Sequence, residues 1–186
     1  GNISSQPQKI ERPKNLTELK AIVKRADRVR VLGTGHSFNA SVKTDRTLIR
    51  TDKLNKMLSL DFRTHRVEVE AGMKLHEFNK LMWEQGYCLP SLGDIQEQSL
   101  AGLISTGTHG TGLQWGSISD ELNIYSVKIV LANGELLNLK GDNPEHSEYL
   151  KAARVSMGLL GVIYSITFNL TPAHNLKMVT KNIHQE

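Results

Sequence analysis

The 186-residue sequence holds one cysteine, few aromatic residues and no long apolar run, and each shortage closes off a class of function. A single Cys88 permits neither an internal disulfide nor a thiolate zinc site. In Tyr87-Cys88-Leu89 it reads as a small buried hydrophobe, since no neighbouring residue marks it as an activated nucleophile. No apolar stretch approaches the length of about 18 residues that a membrane-spanning helix needs. Aromatics are only 5% of the chain, and the densest basic cluster (Lys24, Arg25, Arg28, Arg30) has none interleaved with it. That excludes the stacking platforms by which proteins hold single-stranded nucleic acid. HExxH, HxH and carboxylate pairs at ligand spacing are missing too, so no metal site is expected. The chain starts Gly-Asn-Ile-Ser-Ser without methionine, which suggests trimming, and the compartment is not readable.

What is present suits a globular fold: 39% hydrophobic and 23% charged residues, with a net charge of +4. The length fits about one domain with a real core. After a polar, extended lead-in, Asn15 caps a helix whose apolar side is Leu16, Leu19, Ile22, Val23 and Ala26. Residues 28–32 (RVRVL) alternate as a strand that stops at Gly33, and Leu48-Ile49-Arg50 is a second short strand. Residues 57–62 and 66–70 predict a hairpin, and 74–85 an amphipathic helix ended by Gly86. Residues 122–131 and 135–139, joined at Asn133-Gly134, predict the clearest hairpin. A helix over 144–157 and a long apolar strand over 158–170 close an α+β pattern in which strands outnumber helices.

Two runs of small and hydroxylated residues organise the chain. One is residues 33–38, GTGHSF, in the turn after the first predicted strand. The other is residues 90–112, PSLGDIQEQSLAGLISTGTHGTG. Glycines at 102, 107, 110 and 112, with Ser99, Ser105, Thr106, Thr108 and Thr111, leave backbone amides unshielded and add hydroxyl donors. Such loops suit phosphate oxygens, although ordinary connections needing positive φ look similar. Residues 99–105 predict a short helix starting at Ser99, whose end would add partial positive charge. No Lys or Arg lies between residues 90 and 112. Neutralising bound phosphate oxygens would therefore fall to amides, hydroxyls and the helix end. Asp94 and Glu97 read as loop residues capping amides.

A glycine turn after a strand also raises the dinucleotide fold, with Asp52 near the position of its ribose carboxylate. Phe38 stands where the third glycine belongs, however, and residues 39–45 lack helical periodicity. No crossover helix follows, so that reading fails.

GTGHSF, SLGDIQEQSLAGLISTGTHGTG, VKIVLANGELL and SMGLLGVIYSITF, in that order, resemble the FAD-binding (PCMH-type) domain of the vanillyl-alcohol oxidase and p-cresol methylhydroxylase superfamily. The resemblance is strongest to its sugar-1,4-lactone and alditol oxidase branch and runs from about residue 13 to 171. It implies two α+β subdomains, over residues 13–60 and 61–172, with FAD between them. It implies that Gly33, Thr34, Gly35, His36 and Ser37 wrap the diphosphate side with Phe38 packing behind. It further implies that Leu92, Gly93, Ser99, Ala101, Gly102, Ser105, Thr106, Gly107 and His109 line the diphosphate and flavin ring. Gly161, Val162 and Ile163 are then expected to meet the adenine end through backbone atoms.

On its residues alone, His36 is a histidine that hydrogen-bonds across a turn; the resemblance makes it the candidate for a covalent bond to the flavin's 8α-methyl carbon. His109 is expected to hydrogen-bond beside the ring, and His65, His76, His146, His174 and His184 to lie on the surface. Members of the family continue into a larger substrate domain, which is expected to be absent here; catalytic residues are therefore not expected in this chain. The implied activity is oxidation of a sugar-like alcohol or aldonolactone by hydride transfer to flavin, with oxygen or another acceptor. A flavin- or nucleotide-binding module without catalysis is the alternative of a different class. An enolpyruvyl-sugar reductase is a third, against which the histidine and phenylalanine of GTGHSF argue, since that branch resembles GxGSN there.

Overall fold

The computed structural model describes residues 4–112, 114, 116–177 and 179. The lead-in is not merely extended. Its Lys9–Glu11 is strand β1, which adds parallel to a later strand. Helix α1 (Leu16–Arg25) starts as expected, with the Asn15 side chain accepting from the Glu18 amide and the Glu18 carboxylate accepting from the Lys14 amide. A cap of this kind stabilises a helix by about 1 kcal/mol. Strands β2 (Val29–Leu32) and β3 (Thr47–Arg50) pair in parallel and complete a three-stranded sheet in the order β1-β3-β2. A loop with one 3-10 turn at Ala40–Val42, rather than an α-helix, makes the crossover between them.

The chain then passes into a five-stranded antiparallel sheet. Strands β4 (Met57–Asp61) and β5 (Arg66–Glu70) form the expected hairpin, and helix α2 (Leu75–Glu84) follows. Strand β6 (Tyr87–Cys88) is short, and helix α3 (Leu100–Ser105) is a turn and a half. Strands β7 (Ile124–Val130) and β8 (Leu136–Lys140) turn at Asn133-Gly134, where Gly134 has φ +82° and the Asn133 side chain accepts from the Glu135 amide at 2.9 Å. Helix α4 (Ser147–Arg154) is entered by a 3-10 turn at Pro144–His146.

Strand β9 (Val162–Asn169) is shorter than its apolar run. Met157, Gly158 and Gly161 all take positive φ, so extended backbone starts only at Val162. Strand β10 (Thr171–Pro172) pairs with β6, and the large sheet runs β4-β5-β9-β7-β8.

One apolar cluster fills the space between this sheet and α2, α3 and α4, with Phe78 of α2 and Phe168 of β9 in ring contact at 5.4 Å. A second joins Leu19, Ile22 and Val23 of α1 to Ile49, Val130 and Val162, tying the small sheet to the large one. Burying each such side chain contributes about 1.5–3 kcal/mol before entropy is counted.

Residues 70–73 sit at the crossing point of these parts. The Glu70, Ala71 and Gly72 amides donate to the carbonyls of Lys56, Tyr164 and Leu54, each at 2.8 Å. In return the Met73 and Ala71 carbonyls accept the first two amides of α3, those of Leu100 and Ala101, at 2.9 and 3.0 Å. Glu70 is buried, its carboxylate accepting from the Lys56 amide and the Tyr164 hydroxyl. Burial, together with Glu70, pushes the Tyr164 phenol above its ordinary pKa.

A Cβ on Gly72 would overlap the Thr51 carbonyl, whereas one on Gly86 would meet open space at φ +79°. Gly72→Ala is expected to destabilise by about 2 kcal/mol or more, and Gly86→Ala by about 1 kcal/mol from backbone strain alone. Thermal unfolding of the two variants checks the order.

Candidate functional site

The turn after β2 and the exposed side of α3 face each other across a cleft that is partly open to solvent. From the β2 side it is lined by residues 30–37, with Ser41, Val42 and Thr51; from the other by Gln98, Ser99, Ala101, Gly102, Ser105 and Thr106. Met157, Gly158, Gly161 and Ile163 close one end.

The turn brings unspent hydrogen-bond donors to the cleft. Among the described residues, no protein group accepts from the backbone amides of residues 33–37. Consecutive amides left free in a glycine turn form a concave, partly positive surface suited to anionic oxygens. Two residues of the lining carry buried polar atoms without protein partners: His36 at Nδ1 and Gln98 at Oε1. Buried polar atoms are nearly always paired, so both have the character of groups that a ligand completes.

Close approach explains Gly33. A Cβ there would overlap the Ser99 hydroxyl, and Gly102 lies against the same oxygen. Ser99 stands at the N-cap of α3 without capping it; its hydroxyl fills the seam between turn and helix. Gly161 brings the start of β9 so close to Val130 that a Cβ would overlap that carbonyl.

The structure places several of the expected residues as follows. The first amides of α3 are not free for a diphosphate, because Met73 and Ala71 hold those of Leu100 and Ala101. Phe38 does not pack behind the turn. Its φ of +50° swings the side chain outward, leaving it 69% exposed with its ring edge-on to His36. Leu92, Gly93, Gly107 and His109 lie outside the cleft lining. Gly107 closes the C-terminal end of α3 on the Ile104 carbonyl, and Gly93 packs on Thr108 and His109. Leu92 lines a separate groove beside Trp83, and the exposed His109 ring contacts the neighbouring Gly110 carbonyl at 2.9 Å. Val162 turns its side chain into the α1 cluster, leaving Ile163 as the side chain of β9 that meets the cleft.

Glu97 does not cap an amide: it pairs with Lys74 at 3.2 Å and His76 at 3.4 Å, and Lys74 holds its carboxyl below the usual range. Cys88 is half-buried rather than buried, its Sγ 3.3 Å from the Thr171 hydroxyl and 3.5 Å from His174 Nδ1. His65, His76 and His174 are exposed, while the half-buried His146 accepts the Lys140 amide; His184 lies outside the described residues. No group of His, Cys, Asp and Glu that could hold a metal exists among the described residues.

Residues missed from sequence are Arg30, Val31, Leu32, Ser41, Val42, Thr51 and Gln98, with Met157 and Gly158. Strand alternation was the available signal for Arg30. Val29 and Val31 pack on the α1 cluster, and Arg30 and Leu32 alternate with them. The rest depend on loop paths that no periodicity encodes.

A cleft with free turn amides, hydroxyls, close-packed glycines and no carboxylate, set between the small sheet and α3, has the make-up of a cradle for an anionic cofactor. Residues 7–140 match the family described as the FAD binding domain, and the chain belongs to that family; its cofactor is FAD. It is 37% identical over 186 residues to the D-arabinono-1,4-lactone oxidase of Yarrowia lipolytica, covering 95% of this chain and 34% of that protein. It is 38% identical over 174 residues to the L-gulono-1,4-lactone dehydrogenase of Mycobacterium tuberculosis, covering 91% of this chain and 39% of the relative. The chain thus spans about a third of the length of the curated relatives it matches. A solved alkyldihydroxyacetonephosphate synthase superposes with a TM-score of 0.77 at 20% identity, over 88% of this chain and 31% of that one, which establishes the fold.

The seam between Gly33 and Ser99 makes a prediction. Gly33→Ala is expected to weaken FAD binding about tenfold or more by forcing the turn off α3, and a second substitution, Ser99→Gly, to recover much of it. Flavin fluorescence titration of the single and double variants measures both.

Proposed function

We propose that this chain is the cofactor-holding part of a flavin-dependent oxidoreductase that acts on a sugar-1,4-lactone or a related polyol. The observation that carries the reading is the row of unspent amides at residues 33–37 facing the small, hydroxylated side of α3. Those amides, with the hydroxyls of Ser37, Ser105 and Thr106, would hold the FAD diphosphate. Gly161 and Ile163 would border its adenine end. Bound FAD supplies a two-electron acceptor for hydride leaving a substrate C–H bond.

The names of the relatives support the lactone class, and the longer span of those proteins supports placing the substrate-choosing groups in sequence beyond the matched region. By itself this chain would then hold and orient the cofactor. The 186-residue protein is expected to bind FAD yet turn over aldonolactones and alditols negligibly; robust turnover would refute that division.

His36 is proposed as the attachment residue, supported by its unpartnered Nδ1 at the cleft. Colour that stays with the protein after acid precipitation, and flavin fluorescence on a denaturing gel, are the expected results. His36→Ala is expected to remove both while leaving reversible FAD binding, because the turn amides act independently of that side chain. Colour lost from the unsubstituted protein on denaturation would mean noncovalent FAD.

A further inference from the structure

We infer that Arg30 is the cationic anchor of the FAD phosphates, an inference that rests on the cleft being the FAD site. Arg30 is the one side chain with a permanent positive charge in the cleft lining, which contains no lysine and no carboxylate. It is half-buried, a costly position for a guanidinium without a counter-charge. Most other arginines of the small sheet and its edges have partners, the exposed Arg46 excepted. Arg12 and Arg50 face Asp52, Arg25 faces Glu11 and Arg28 faces Asp45. Among the described residues Arg30 has neither an ion pair nor a side-chain hydrogen bond.

Its direction is set by the strand. Val29 and Val31 pack against the α1 cluster, Val31 also bordering the cleft, and Arg30 alternates with them on the strand alongside Leu32, three residues before the amide turn and in the same lining as Ser41. Arg30 pairs in register with the buried Leu48, and the nearby carboxylates of Asp45 and Asp52 are already engaged by Arg28 and by Arg12 and Arg50. A diphosphate bound by the turn brings the missing counter-charge, and a guanidinium matches two phosphate oxygens at once. The free protein thus holds an uncompensated charge that binding neutralises, so Arg30 acts on affinity for the phosphorylated cofactor rather than on the shape of the flavin site.

The test is a titration of apoprotein, prepared from a riboflavin-starved host, with FAD. A His36→Ala background keeps any covalent bond from obscuring the equilibrium. Arg30→Gln is expected to weaken FAD about tenfold at low salt, with the gap closing between about 50 and 500 mM salt as the charge is screened. Arg30→Lys, which keeps the charge, is expected to recover most of the affinity and the salt dependence. Equal affinity for Arg30→Gln, or a loss indifferent to salt, overturns the inference while leaving the FAD site intact. Failure of the arginine-containing protein to bind FAD overturns the functional reading and the inference with it. If Arg30→Gln does not fold, Arg30→Lys decides alone, because salt-indifferent weakening in it contradicts an electrostatic anchor.

Discussion

The cleft depends on a knot of backbone hydrogen bonds at residues 70–73. Of three successive amides there, two tie down the β3–β4 connection at Lys56 and Leu54 and one the central strand β9, while two carbonyls take the first amides of α3. Each bond contributes only about 1 kcal/mol net, but leaving any of these groups buried and unpaired would cost more. Because Gly72 has no side chain, the Thr51–Leu54 turn can lie directly on this segment. The consequence is positional: one wall of the cleft, α3, and the other, the strand pair that carries the glycine turn, are referred to the same four residues.

This arrangement divides the donors sensibly. The helix spends its leading amides on holding itself in place, and the turn after β2, which carries no structural duty for its amides, keeps them for a ligand. The charge follows a similar logic. Acidic side chains near the small sheet are consumed by arginines at its edges, which leaves the cleft free of carboxylates and with a single guanidinium. A dianionic diphosphate entering such a space gains amide, hydroxyl and cationic partners without displacing an internal ion pair.

Much of this was legible in the sequence where a periodicity or a turn residue carried it. Asn15 marked α1, Asn133-Gly134 marked the β7–β8 hairpin, and GTGHSF and SLAGLISTG marked both walls of the cleft. What escaped was set by long-range contacts. Lys9–Glu11 is too short and polar to announce a strand, and becomes one only because β3 offers an open edge. The apolar run from residue 158 looked like continuous strand, but its glycines and Met157 take positive φ, and those residues became the end of the cleft instead. Ala71-Gly72-Met73 has no pattern at all. Phe38 was assigned by motif position, and the sign of its φ, invisible in sequence, turned it away from the site.

The central claim is that the amides of residues 33–37 hold the cofactor, and hydrogen exchange with and without FAD tests it most directly. The account predicts that FAD slows exchange across residues 33–37 while the amides of Leu100 and Ala101, already bonded within the protein, change little. Unaltered exchange in the turn, with protection arising instead along the groove beside Trp83, would contradict it.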